Sequence, residues 1–321
     1  MSYSTQPIGF LGLGIMGNGM AARLVSEGII TSSRPLYVWN RSGEKCDALK
    51  EKFPEANIVK CESVKEVVEK CGVTYSMLST PEAAAAVFNA STGTLSGVSE
   101  GKAIVDCATL AESDHQSMAK AVKVKGGVYL EAPVSGSKGP AENGSLIFLC
   151  GGSKSLFDSI ENDGLNVMGK ASHYLGSSVG VGTQAKLVVN SVMGTMLSAF
   201  SEGLALSQSL GLDGEKMVEV FMQGACAAPM FKLKGNKIVK EVADHGTNFP
   251  LKHAHKDMLL AKELAAKTGV EYKTNNMAES IFKRARESDL QLADLDFSAV
   301  FEQIHEDSKG SNDYSAKRQK K

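Results

Sequence analysis

The chain has 321 residues, of which 43% are hydrophobic and 22% are charged, so a folded globular protein is expected and general disorder is not. Its formal net charge of -1 argues against nucleic acid as the main partner, because that binding depends on neutralising phosphates. The sequence has no run approaching the ~18 consecutive apolar residues that span a membrane, so no membrane association is expected.

The chain enters an apolar segment by Ile8, which leaves no space for a leader peptide. Unless a leader has been removed, the expected location is the cytoplasm. The 6 cysteines are scattered, with no C-x-x-C pair and no paired Cys/His spacing. This pattern predicts reduced, mostly buried thiols and no metal site.

The first half of the chain alternates short apolar runs with helical patterns. The apolar runs are predicted to be strands at 8–12, 36–39, 57–61, 73–78, 103–106 and 128–131. Single helices between successive strands indicate parallel βαβ units with helices on both faces of the sheet. The predicted fold class is therefore α/β, with a doubly wound Rossmann-type sheet that binds its ligand beyond the carboxyl ends of the strands.

The second half of the chain has the patterns of helices alone. Apolar or small residues at helical spacing, without proline, predict one long helix from Gln184 to Ser209. Further helices are predicted at 214–225, 255–267, 275–287 and 298–306. We thus predict a Rossmann domain over residues 1–178, an all-α substrate and oligomerisation domain over 179–307 with a long interdomain helix, and a disordered basic tail over 308–321.

A glycine motif follows the first predicted strand. Gly12, Gly14 and Gly17 match G-x-G-x-x-G between that strand and a helix, which is the context of a dinucleotide-binding turn. The first glycine would allow the tight turn, the second would let the backbone approach the pyrophosphate, and the third would let helix and strand pack closely. The cofactor is also expected to contact the intervening residues, which are Leu13, Ile15 and Met16.

The end of the second strand favours one cofactor over another. A carboxylate there would accept hydrogen bonds from the ribose hydroxyls of NAD and would repel the 2′-phosphate of NADP. This chain has Asn40, which is uncharged, followed by Arg41 and Ser42, which can pair with or donate to a phosphate. The sequence therefore predicts NADP(H) as the cofactor.

Four ordered blocks resemble the β-hydroxyacid dehydrogenase family, which includes 3-hydroxyisobutyrate dehydrogenase. They are residues 9–17, 131–137, 180–190 and 252–261. Stretches at 38–41, 45–47, 133–138, 200–203, 249–253 and 295–300 resemble the plant-type glyoxylate/succinic semialdehyde reductases within that family. The resemblance covers nearly the whole chain to about Val300.

The resemblance implies roles for residues in the last three blocks and nearby. It implies substrate binding by Ser135, Gly136, Ser137, Phe249 and Asp257, and cofactor contacts at Leu78, Thr109 and Lys256. The broader family often has an aspartate where Glu131 stands and a glycine where Ser137 stands. Because of these two differences from the family, the sequence does not determine which acid the chain prefers as its substrate.

Lys186 is the predicted catalytic residue. It lies four residues before Asn190 on the long helix, so the two side chains share one helix face. A lysine and an asparagine on an otherwise apolar face are unusual, because a buried amine is costly without a task. The resemblance implies that Lys186 is the proton donor and that Asn190 orients the substrate and the lysine.

The leading hypothesis is an NADPH-dependent reductase of small aldehyde-acids, converting glyoxylate to glycolate and succinic semialdehyde to 4-hydroxybutyrate. One alternative is an NAD-dependent 3-hydroxyisobutyrate or other 3-hydroxyacid dehydrogenase. A second alternative, of another class, is a non-catalytic chromatin-associated assembly domain, which would lack the lysine. The resemblance also implies a homodimer or homotetramer.

Overall fold

The computed structural model describes Tyr3, residues 5–239 and residues 247–309. The chain divides after Lys186 into two compact units, and each is described by itself. The boundary predicted at residues 178 and 179 falls a few residues earlier and stays a prediction. Most of the predicted basic tail, residues 310–321, lies outside the described residues.

The first unit is built on one nine-stranded sheet in the order β3-β2-β1-β4-β5-β6-β8-β7, with β9 paired to β8. The strands are β1 (Ile8–Leu11), β2 (Leu36–Trp39), β3 (Ile58–Lys60), β4 (Val73–Ser76), β5 (Ala103–Asp106), β6 (Val128–Glu131), β7 (Val134–Ser135), β8 (Leu146–Gly152) and β9 (Gly169–Gly176). The first six pair in parallel, as the alternating pattern predicts. The predicted α/β class with a Rossmann-type sheet is confirmed.

Helices cover both faces of this sheet, and successive strand residues point to opposite faces. Phe10 packs in one apolar cluster and its neighbour Leu11 in another. The helices of the first unit are α1 (Gly17–Ser26), α2 (Glu44–Lys52), α3 (Val64–Lys70), α4 (Pro81–Asn89), α5 (Thr94–Gly97), α6 (Glu112–Val124), α7 (Lys138–Glu142), α8 (Lys154–Ile160) and α9 (Asn166–Met168). A π-helical turn, Glu161–Leu165, joins the last two.

The strands β7, β8 and β9 were not among the predicted strands. β8 runs antiparallel to β6 and to β7, while β9 runs parallel to β8. Only part of the sheet is therefore made of the expected parallel crossovers. The partly exposed strand β9 carries polar residues without a regular apolar alternation, which explains why its pattern gave no strand signal.

The second unit is helical. It contains most of α10 (Val181–Ser209), followed by α11 (Gly214–Gln223), α12 (Pro229–Val239), α13 (Leu251–Thr268), α14 (Lys273–Glu287), two 3₁₀ turns (Leu292–Asp294 and Phe297–Ala299) and α15 (Val300–Lys309). The predicted all-α character and the long helix are confirmed. The core of this unit includes the stacked rings of Phe200 and Phe231, whose centroids are 4.3 Å apart.

A buried ion pair ties together three segments of the second unit. The Nζ atom of Lys234 lies 2.7 and 2.8 Å from the two carboxylate oxygens of Asp296. Asp296 also accepts hydrogen bonds from the backbone N–H groups of Asn248, Phe249 and Ser298 and from the Ser298 hydroxyl. Asp296 thus joins α12 to the segment that leads into α13.

None of the described helices combines the length and apolar character needed to cross a membrane.

Candidate active site

The glycine turn after β1 has the geometry that its motif predicts. Gly12 has a φ of 91°, a left-handed conformation that side chains rarely adopt. At Gly17, a Cβ atom would lie 1.9 Å from the carbonyl oxygen of Gly12, so only glycine lets α1 start this close to β1. The turn lies where the strand order reverses between β1 and β4, which is the usual ligand position in such sheets.

The same turn leaves room for an anion. A Cβ atom at Gly14 would meet only the Ser79 hydroxyl, 4.0 Å away. The N-cap residue of α1, Met16, provides no side-chain hydrogen bond, and the first turn carries no acidic residue. A helix start with uncapped N–H groups and open space in front of it fits a dinucleotide pyrophosphate.

Replacing Gly14 with alanine is expected to weaken NADPH binding at least about tenfold, because the new methyl group would occupy the space that the pyrophosphate needs. The fold has space for this methyl group, so the melting temperature should stay near that of the wild type. Titration of NADPH fluorescence and a thermal melt measure the two effects. A Gly17→Ala variant should lower the melting temperature as well, and unchanged NADPH affinity in Gly14→Ala would contradict the assignment.

Asn40, at the end of β2, fastens the glycine turn. Its Oδ1 atom accepts a hydrogen bond of 2.8 Å from the N–H of Leu13, and its Nδ2 atom donates one of 2.9 Å to the carbonyl of Ser42. Arg41 and Ser42 are exposed, and neither side chain makes a hydrogen bond or ion pair with any residue that the structure describes. Both side chains are therefore able to bind the 2′-phosphate of NADP, as the sequence predicts.

Leu78 and Thr109 follow β4 and β5, whose carboxyl ends share the edge with the glycine turn. Leu78 lies beside Gly12, and both Leu78 and Thr109 are half-buried. Just before Thr109, burial raises the pKa of Asp106 to about 7, although its hydrogen bond from the N–H of Ala108 opposes this change. The predicted cofactor residues of the first unit thus meet at one edge of the sheet.

The predicted substrate loop, residues 135–137, is held by the antiparallel strand β8. Ser135 pairs with Ile147, and Gly136 has a φ of 138°. Ser135 and Ser137 are half-buried, and their hydroxyls make no hydrogen bond to a described residue. Two hydroxyls on one tight turn are able to bind a carboxylate.

Glu131, the last residue of β6, binds the start of α10. One carboxylate oxygen accepts hydrogen bonds from the N–H groups of Gly180 and Gly182, at 2.5 and 2.8 Å. The other accepts them from the N–H and the hydroxyl of Thr183, at 3.3 and 2.9 Å. The helix therefore begins at Val181, three residues before the start that hydrophobic periodicity predicts. The sequence pattern predicts Glu131 only as part of the substrate block, and nothing in it indicates this contact.

Lys186 lies in the second turn of α10, with only 5% of its surface exposed. Asn190, one turn further along the same helix, is also buried and donates a hydrogen bond of 2.6 Å to Asp257. The Nζ atom of Lys256 lies 3.1 Å from the other carboxylate oxygen of Asp257. Asn190, Asp257 and Lys256 thus form a polar network of predicted site residues within the second unit.

Phe249 is the remaining predicted substrate residue. It is half-buried and packs edge-to-face against Phe297, with ring centroids 5.5 Å apart. Its backbone N–H donates to Asp296, and its carbonyl accepts a hydrogen bond from the N–H of Phe297. The backbone on both sides of this aromatic ring is thereby fixed within the second unit.

The histidines of the fourth block form no metal site among the described residues, where no group of three or more potential ligands is gathered. His255 is instead buried and lies 3.0 Å from Glu279, which also pairs with Lys262. Burial and the charge of Lys256 lower the pKa of His253.

Comparison with known proteins covers both units. Residues 7–176 match the family model of the NAD binding domain of 6-phosphogluconate dehydrogenase. Residues 180–304 match that of the NAD-binding domain of NADP-dependent 3-hydroxyisobutyrate dehydrogenase. Among solved structures, 3-hydroxyisobutyrate dehydrogenase from Salmonella typhimurium superposes with a TM-score of 0.81 at 21% identity, over 92% of this chain and 98% of that one.

Two curated relatives differ in what their names describe. Glyoxylate/succinic semialdehyde reductase 1 of Arabidopsis thaliana is 43% identical over 92% of this chain and 98% of its own length. The cytokine-like nuclear factor N-PAC of Gallus gallus is 32% identical over 92% of this chain, which spans only 50% of that protein.

Proposed function

We propose that this chain, which belongs to the β-hydroxyacid dehydrogenase family of nicotinamide-dependent oxidoreductases, reduces small aldehyde-acids with NADPH. The substrates proposed are glyoxylate, giving glycolate, and succinic semialdehyde, giving 4-hydroxybutyrate. The observation that carries the proposal is a buried lysine in the second turn of α10, one helical turn before an asparagine that is bonded to a buried aspartate. The full-length similarity to a reductase of these two aldehydes supports the substrate class.

Lys186 is the proposed general acid. Bound NADPH would supply a hydride to the aldehyde carbon, and the carbonyl oxygen would gain negative charge. An ammonium group near that oxygen stabilises the charge and donates the proton that completes the alcohol. Because Lys186 is almost fully buried, its interaction with the oxygen would be weakened little by water.

The other proposed residues bind and orient. The hydroxyls of Ser135 and Ser137, with the backbone around Gly136, would hold the substrate carboxylate. Asn190 would orient the substrate and Lys186, with Asp257 fixing the direction of its amide through the 2.6 Å hydrogen bond. Phe249 would provide an apolar wall for the substrate, and Lys256 would contact the cofactor.

The preference for NADPH is assigned to Arg41. Replacing Arg41 with alanine is expected to lower kcat/KM for NADPH about tenfold, as for the loss of one charge-assisted hydrogen bond at an exposed site. The value for NADH should change little, because NADH has no 2′-phosphate. Steady-state rates with both cofactors measure this, and Lys50→Ala, an exposed charge near the end of α2, serves as the control. A variant that kept its full preference for NADPH would remove the argument.

A panel of substrates and cofactors tests the function itself. Glyoxylate, succinic semialdehyde, 3-hydroxyisobutyrate and a second 3-hydroxyacid are assayed, each with the NADP and NAD forms of the cofactor. The proposal expects the highest kcat/KM for an aldehyde-acid with NADPH. A higher value for a 3-hydroxyacid with NAD would favour the alternative dehydrogenase.

A non-catalytic assembly role is not favoured. The similarity to N-PAC covers only half of that protein, and the non-catalytic alternative predicts loss of the lysine that this chain retains.

Assembly into a homodimer or homotetramer remains part of our proposal. It is supported by the exposed apolar residues Val188, Val189 and Val192 on α10, since such surfaces often pack against a partner. Light scattering measures the number of subunits, and a cytoplasmic location stays a prediction.

A further inference from the structure

The carboxylate of Glu131 is fully buried, with 0% of the residue exposed, and four donors from one short segment surround it. Three of these donors are backbone N–H groups at the start of α10. The first N–H groups of a helix have no partner within the helix, and a negative charge there also interacts favourably with the helix dipole. Glu131 therefore supplies both the hydrogen-bond acceptors and the charge that this helix start requires.

The surrounding backbone packs closely against the Glu131 carboxylate and the helix start. A Cβ atom at Gly151 would lie 2.4 Å from the Glu131 carboxylate, and one at Gly182 would lie 2.3 Å from the carbonyl oxygen of Leu149. The helix start is thus fitted directly against β8 and the carboxylate. Without the carboxylate, three buried N–H groups would lose their partner, and each such loss is destabilising.

Lys186 follows this fixed segment directly. Thr183, bonded to Glu131 through two atoms, and Lys186 are three residues apart and therefore neighbours on the helix surface. The apolar pattern alone would start the helix at Gln184, which would place Lys186 within the first and least ordered turn. Since α10 instead starts at Val181, Lys186 falls in the second turn, where its backbone is held by the helix.

We propose that Glu131 is a positioning residue for Lys186: its buried carboxylate fixes the first turn of α10 and so sets the direction of the catalytic amine. The same residue ends β6, four residues before Ser135, so one side chain links the proposed acid to the strand that leads into the proposed substrate loop. This inference rests on the proposed function, because it requires Lys186 to be the acid.

The first test compares Glu131→Gln with Glu131→Asp, which keeps the charge, and with Glu112→Gln. The Glu112 side chain also lies against Gly180, but its carboxylate bonds to Gln116 instead. We expect Glu131→Gln to lower kcat about 10- to 100-fold, as for a misplaced catalytic group, with the KM for NADPH changed less than about threefold. Glu131→Asp should recover part of the loss, and Glu112→Gln should behave as the wild type.

A second variant with a smaller structural change keeps the inference testable if Glu131→Gln does not fold. Thr183→Val removes one of the four donors and keeps the shape of the side chain. We expect a smaller loss of kcat and faster amide hydrogen exchange in the peptide covering residues 180–186. If folded Thr183→Val and Glu131→Gln proteins kept the kcat of the wild type and lost only stability, Glu131 would be structural and the inference would be overturned.

Double variants show whether Glu131 acts through Lys186. In single-turnover reduction of glyoxylate, adding Glu131→Gln to Lys186→Ala should cause no further loss, since the lysine to be positioned is gone. A second loss of the same factor would overturn the inference. If Glu131→Gln kept the wild-type kcat while Lys186→Ala was impaired, only the positioning role of Glu131 would be overturned. If Lys186→Ala kept full turnover, the assignment of Lys186 as the general acid would be overturned as well.

Discussion

Replacing Lys186 with alanine is expected to lower kcat for glyoxylate reduction about 100- to 10,000-fold, the usual contribution of a positioned general acid. The alanine protein would have no group on this face of α10 to protonate the forming alkoxide or to stabilise its charge. NADPH affinity should change little, because the glycine turn and Arg41 are untouched. Stopped-flow measurement of NADPH oxidation separates the chemical step from binding.

Two further variants make this result specific. Gln184→Ala lies on the same helix outside the proposed site and should keep the wild-type rate. Lys186→Arg keeps the positive charge but holds its proton too firmly to serve as a good acid, so its rate should stay low. Glyoxylate turnover in Lys186→Ala equal to that of the wild type would refute the assignment.

Replacing Asp296 with asparagine is expected to lower the free energy of unfolding by about 3–5 kcal/mol, the usual effect of removing one partner from a buried ion pair. The ammonium group of Lys234, which is 3% exposed, would be left without its counter-charge. The hydrogen bonds that hold the backbone of Asn248 and Phe249 would weaken as well. Chemical denaturation followed by fluorescence measures the change.

Asp294 provides the matched control two residues away. Its side chain is 79% exposed and pairs with Lys252 at the surface, so Asp294→Asn should leave stability nearly unchanged. Equal stability of the two variants would show that the Asp296 pair contributes little.

The Asp296 pair also predicts a pH dependence. Burial raises the pKa of Asp296, but the charge of Lys234 and the hydrogen bonds from Ser298 lower it more, so the pKa lies below its ordinary value of 3.8. The stabilisation is therefore complete at neutral pH and is lost as the pH falls through the lowered pKa.

The sequence predicts most of the framework because its signals are local. Six parallel strands, the glycine turn and the long helix each follow from a short apolar or glycine pattern, and all are present in the structure. The placement of Arg41, Leu78 and Thr109 at the carboxyl edge also follows, since parallel strands end on the same side. The catalytic and binding roles of these residues remain predictions.

Other features depend on contacts between distant parts of the chain. Of the last three strands, β8 is a buried apolar run that a local pattern could have predicted, whereas β7 has only two residues and β9 carries polar residues. The positions of all three in the sheet are set by pairing with β6 and with one another. The true start of α10 depends on Glu131, about 50 residues earlier in the chain, which no local pattern relates to the helix. A carboxylate at a strand end together with a later Gly-x-Gly-Thr helix start is the signal that could have suggested it.

The hydrogen bonds of Asn40 bear on how cofactor choice could be changed in the laboratory or in evolution. Both ends of its side-chain amide make structural hydrogen bonds: the oxygen accepts one from the N–H of Leu13, and the nitrogen donates one to the carbonyl of Ser42. An aspartate, the residue that would suit NAD, keeps the first contact but replaces the second donor with an oxygen facing the Ser42 carbonyl. Replacing Asn40 with aspartate would therefore favour NADH but remove a hydrogen bond that holds the loop. The side chain of Arg41 makes no such bond with a described residue. A change of preference towards NADH is therefore expected to start with a substitution of Arg41. Asn40 would be replaced only after another substitution has stabilised the glycine turn, so that each successive variant remains folded.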